Sequence, residues 1–104
     1  MEIHFFDKKI EKFISSLDQS TIAKVLRTID LLTKFGHTLG MPHSKPLMGG
    51  LFELRIRGVQ EVRILYAFHS HGAILVHGFV KKSQKIPERE LSVALSKKKL
   101  LDEG

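Results

Sequence analysis

The sequence of 104 residues contains no cysteine and no tryptophan, one tyrosine and three prolines. Without cysteine there is no disulfide and no thiolate chemistry. No stretch approaches the roughly eighteen apolar residues that a bilayer-spanning helix requires, so no membrane partner is expected. The start, Met1-Glu2-Ile3-His4, has neither the basic region nor the apolar core of a secretory signal, and a cytoplasmic location is the expectation. Acid is also in short supply. Eleven Asp+Glu stand against 17 Lys+Arg, a formal net charge of +6.

What is present describes an ordinary globular chain, with 42% hydrophobic and 27% charged residues. The length suits one domain over residues 1–104, with a single modest core. A basic surplus draws polyanions, nucleic acid foremost, although charge alone also serves solubility.

Periodicity divides the chain. Glu2 to Phe6 is a short β-prone run. From Asp7 onward Ile10, Phe13, Ile14 and Leu17 recur at the spacing of one helical stripe. Asp18 or Ser20 then offers a cap for a second helix, with Ile22, Val25, Leu26, Ile29, Leu32 and Phe35 on one face and Gly36 as its stop. Residues 36–50 hold four glycines and two prolines and read as a loop, long enough to suggest a functional or docking role. Leu51–Arg57, Val62–His69 and Ala73–Val80 read as three strands of an antiparallel meander. Pro87, Glu88 and Glu90 suit the first turn of a last helix whose apolar side is Leu91, Ala94, Leu95 and Leu101. The predicted class is α+β: a small antiparallel sheet, mixed at the N-terminal strand, with a helical hairpin on one face and a C-terminal helix.

Strand parity sorts the charges. Phe52, Leu54 and Ile56 alternate with Glu53, Arg55 and Arg57, and Val62, Ile64, Tyr66 and Phe68 with Arg63, Leu65, Ala67 and His69. A three-residue loop at Gly58-Val59-Gln60 sets Arg57 opposite Glu61 and Arg55 opposite Arg63, away from the helices. A two-residue turn at Ser70-His71 extends this register: Arg63 faces Gly78, and Val80 and Lys82 lie on the same side. Opposed arginines repel unless they share an anion, so Arg55, Arg63 and Lys82 around a glycine outline a phosphate site. The plainer alternative makes Glu53 and Arg55 the solvated side of a half-exposed sheet and Lys81, Lys82 and Lys85 a solubilising loop. Lys97-Lys98-Lys99 reads as the dipole-compatible end of the last helix.

The ordered set G-L-F-E-L-R at 50–55, V-R-I-L-Y at 62–66 and H-G-F-x-K-K-x-x-K-x-P at 77–87 resembles the RelE/HigB superfamily of type II toxin–antitoxin toxins, in particular its phage-derived HigB-like branch. The resemblance implies a toxin that cuts mRNA on the ribosome. The implied partner is a small antitoxin, often with a helix-turn-helix domain. Carried over by position, Arg55, Arg63 and Lys82 match the family's basic site residues, and Lys81 and Lys85 belong to the branch's K-K-x-x-K pattern. Some relatives place a tyrosine at the start of the last helix, where KIPERE supplies none.

RNA is cut by its own 2′-hydroxyl when a base takes that proton, cations stabilise the phosphorane and an acid protonates the leaving oxygen. Arg55 and Arg63 suit the second task and Lys82 or Lys85 the third. Lys45, Arg57, Lys81 and His43 are the expected RNA contacts. No cofactor or metal is called for: His69 and His71 flank a turn without an evident third ligand. For the base, lysine requires a lowered pKa. His37 and His43 in the long loop are alternatives, while His77 by parity faces the core as a structural histidine. Tyr66 is expected in the core, where its hydroxyl could still anchor a neighbouring arginine. Two other readings remain: a non-hydrolytic RNA- or ribosome-binding domain, and a degenerate toxin acting mainly through its antitoxin.

Overall fold

The computed structural model describes all 104 residues and realises both periodicities as an α+β fold. Strand β1 (Glu2–Phe5) leads into helices α1 (Lys8–Ser15) and α2 (Gln19–Phe35). A short edge strand β2 (Ser44–Pro46) precedes the meander β3 (Phe52–Ile56), β4 (Val62–His69) and β5 (Gly72–Val80), and helix α3 (Glu88–Glu103) closes the chain. The sheet order is β1-β5-β4-β3-β2. Only β1 runs parallel to its neighbour, β5.

Local chemistry accounts for the helix ends. Asp7 caps α1 by accepting the Ile10 amide at 3.4 Å. Asp18 takes the cap position of α2 without a side-chain bond; its own amide donates to Gln60 Oε1 at 2.9 Å, tying the helical corner to the β3–β4 loop. Gly36 stops α2 at φ 52°, a backbone geometry most side chains disfavour.

Two cores form, one on each face of the sheet. Ile10, Ile14, Val25 and Leu32 of the helical pair meet Leu54, Ile56, Val62, Ile64, Tyr66 and Leu75. On the other face Leu65, Ala67, Val76 and Phe79 meet Ala94, with Leu91, Leu95 and Leu101 packed alongside. The expected apolar side of the last helix is therefore the one it buries, and a second core replaces the single one expected.

Several expectations need correction. Leu26 and Phe35 are 53% and 49% exposed, because α2 buries Thr21, Val25, Thr28 and Leu32 instead. The loop at 36–50 is partly ordered, with single helical turns at Gly36–Thr38 and Met48–Gly50 around β2. The three lysines at 97–99 do not end α3, which continues to Glu103; Lys97 bonds Asp7 at 3.0 Å and sits over the Phe6 ring.

The consequential difference is a β-bulge. The turn keeps its predicted register, His69 opposite Gly72, but pairing slips one residue between Leu65 and Tyr66. Arg63 therefore faces Phe79, not Gly78, and Val80 turns toward the helical pair. Gly78 lies opposite Ile64, where the Phe13 ring presses so closely that a Cβ would meet it at 2.6 Å. The glycine thus makes room for a helix, not for a ligand.

Candidate functional site

Helix α3 covers only part of its face of the sheet. Beyond Leu65 and Phe79 the strands present charge: Glu53, Arg55 and Arg57 on β3 and its extension, Glu61 and Arg63 at the start of β4. Lys45 from β2 and Lys81, Lys82 and Lys85 from the β5–α3 connection complete an open cleft of about 790 Å³. Leu47 and Ile86 are its only hydrophobic lining residues.

Arg55 and Arg63 are directly opposite, as the hairpin register predicted. The anion between them is internal. Glu53 is 3% exposed, with Oε1 at 3.6 Å from Arg55 Nε and Oε2 at 3.7 Å from Arg63 Nε. These separations make ion pairs rather than hydrogen bonds, and both Nε atoms lack a hydrogen-bond partner. Arg63 Nη1 is held further by the Val62 carbonyl at 3.0 Å and Glu61 Oε2 at 3.2 Å. Arg55 Nη1 donates to Met41 Sδ at 3.3 Å. Both guanidiniums are thus fixed by their surroundings, which limits the side-chain entropy a bound anion would cost.

The loop lysines are placed differently. The Lys81 amide donates to the Glu61 carbonyl at 2.7 Å, extending the β4–β5 ladder by one rung. Because of the bulge it is Lys81, not Lys82, that continues the arginine side of the strand; exposed Lys82 and Lys85 reach the cleft from the connection beyond. Seven cations and two carboxylates line the cleft, so attraction for a phosphate survives the two internal acids.

Other candidates lie elsewhere. His43 lines a neighbouring cleft, not this one. His37 packs on Phe68, ring centres 3.8 Å apart, and Phe68 belongs to the core under the helical pair. His77 pairs with Leu65 across the bulge and bonds Glu90 Oε1 at 2.9 Å, a structural role as expected but under α3. The Tyr66 hydroxyl anchors no arginine; it shares a 2.6 Å hydrogen bond with Ser44 Oγ. Burial pushes its phenol above the ordinary value, only partly opposed by that bond. No three His, Asp or Glu side chains come together as metal ligands. Sequence reading missed the burial of Glu53; its parity with Arg55 was the only signal available.

The class defined here is a small α+β protein carrying a basic cleft where a half-covered sheet emerges from beneath its last helix. The chain belongs to the phage-derived Gp49-like protein family, whose profile matches residues 12–99 and so takes in every strand and helix except β1 and the ends of α1 and α3. No curated protein shows significant similarity to it. No helix is long and apolar enough to cross a membrane.

Proposed function

We propose that this protein is the toxin of a type II toxin–antitoxin pair, of the RelE/HigB kind, and that it cuts mRNA held on the ribosome. The observation that carries the reading is the Arg55–Arg63 pair, pre-positioned by Glu53 within a cleft of lysines. A scissile phosphate entering it would meet the partly exposed Arg55 and the loop lysines, while Arg63, enclosed by Glu53 and Glu61, adds its charge from beneath as the phosphorane forms. Lys82 or Lys85 would protonate the departing 5′-oxygen. The 2′-hydroxyl proton would pass to the Glu61 carboxylate, whose side chain is 43% exposed and already at the cleft. An antitoxin would complete the pair.

Glu53 favours a second reading. A carboxylate already between the arginines lessens their demand for a further anion, as suits a domain that grips RNA without cutting it. Kinetics and affinity separate the two. In a cleaving enzyme Arg63→Ala lowers single-turnover cleavage by on the order of 10²–10³-fold with a far smaller loss of RNA affinity. In a binder the loss is in affinity, with a shallower salt dependence. Because Arg63 is buried, Lys82→Ala at an exposed position repeats the comparison without risk to the fold.

A further inference from the structure

A second cleft, of about 270 Å³, opens beside the first, between α2 and the loop that precedes β2. Lys24 and Arg27 from α2, His43 from the loop, and Arg55 and Arg57 line it, and no carboxylate does. Arg55 and Arg57 line both clefts and form the wall between them. The gap follows from the shortness of β2. Its pairing with β3 begins at Ser44 opposite Leu54, and the last rung is the Arg55 amide bonded to the His43 carbonyl at 2.8 Å. Past that rung the β3 edge at Ile56 and Arg57 is left uncovered, and the arginine face communicates with the helical side.

The cations here are arranged rather than scattered. Lys24, Arg27 and Leu31 are three and four residues apart, so they share one face of α2, and two like charges at that spacing disfavour the helix unless an anion offsets them. Lys24 is held in place. Its ammonium donates to the Arg57 carbonyl at 3.2 Å and lies over Gly58, where a Cβ would stand 2.9 Å from Nζ. None of the chain's ion pairs involves Lys24 or Arg27.

Resting on the reading that the first cleft takes an RNA phosphate, we propose that this second cleft is a subsite for a flanking phosphate of the same strand. Arg55 and Arg57 are the shared wall over which the backbone passes. Charges at a sheet edge also discourage edge-to-edge pairing, but that purpose requires neither the lysine seat over Gly58 nor a gap with cations and no carboxylate in its lining.

The test uses the full chain and 2′-O-methyl RNA, which cannot attack its own phosphate, as a dinucleotide and as a hexanucleotide, with affinity read by fluorescence anisotropy. Arg27→Gln is expected to weaken the hexanucleotide by roughly tenfold at low salt and to lower its salt slope by about 0.7, leaving the dinucleotide unchanged. Lys24→Gln should act alike, and Arg27→Lys should restore the slope. Equal loss for both lengths, no loss for either, or no binding of the hexanucleotide by the unaltered protein overturns the subsite. So does an oligoglutamate that competes as well as the RNA, which would mark an acidic protein surface as the occupant. Failure of the first cleft is distinguishable: Lys82→Ala and Arg63→Ala would then leave the affinities untouched while Arg27→Gln still discriminated by length.

Discussion

Two guanidiniums on adjacent strands repel, and Glu53 supplies the charge that lets Arg63, 2% exposed, and the partly buried Arg55 coexist on one face of a sheet. Removing that carboxylate leaves Arg55 without a carboxylate partner and Arg63 with Glu61 alone, so Glu53→Gln should cost about 3 kcal/mol in urea unfolding. Adding Arg63→Met should recover part of the loss, and a strictly additive result would show that the two side chains are not coupled. Tyr66 gives a second residue-scale prediction. Tyr66→Phe removes the bond to buried Ser44 and should cost about 1–2 kcal/mol. Its phenol is raised above 10.0 in the folded chain, so the native state favours the protonated form. That contribution is complete below the unfolded value and is lost as pH rises through the folded one. Urea midpoints should therefore fall more steeply on the alkaline side of pH 10.0 in the parent than in Tyr66→Phe. Parity alone placed Arg55, Arg63 and Glu53 on one face; that Glu53 would be enclosed was not legible, because it depends on a separate edge strand setting Lys45 beside it.

Among the elements, the β5 bulge decides what fills the middle of the sheet. It gives Phe79 to the second core and presents Gly78 to Phe13 of α1. Gly78→Ala must displace that ring and should cost about 1–3 kcal/mol, with thermal unfolding as the readout. The β3–β4 register was readable because its short Gly-containing loop permits little else, and both short turns came out as their sequences imply. A bulge has no comparable signature: one residue added to the pairing of an apolar run leaves the pattern hydrophobic on both sides of it. Helix α3 is joined to α1 by Lys97 and Asp7. Burial would raise the Asp7 carboxyl, but the Lys97 hydrogen bond and charge, with the capping amides, bring it below 3.8. This stabilisation is present above the unfolded value and lost as pH falls through the folded one. Asp7→Asn should flatten the acid limb of stability by less than about 1 kcal/mol, since the pair is partly exposed.

For the whole molecule the net charge of +6 matters less than its distribution. Seven of the 17 basic side chains line one cleft, and Lys24 and Arg27 carry the same sign around the sheet edge into the next. Composition made the basic surplus readable, and parity indicated the face it occupies. The neighbouring cleft was hidden, because it joins α2, a distant loop and the end of β3. The central claim is that the first cleft cuts RNA, and mapping message ends in a translation reaction tests it most directly. New ends within codons should accumulate with the unaltered protein and should drop by on the order of 10²-fold or more with Lys82→Ala or Arg63→Ala. Messages that stay intact under active translation, or cuts that persist undiminished in both variants, would contradict it.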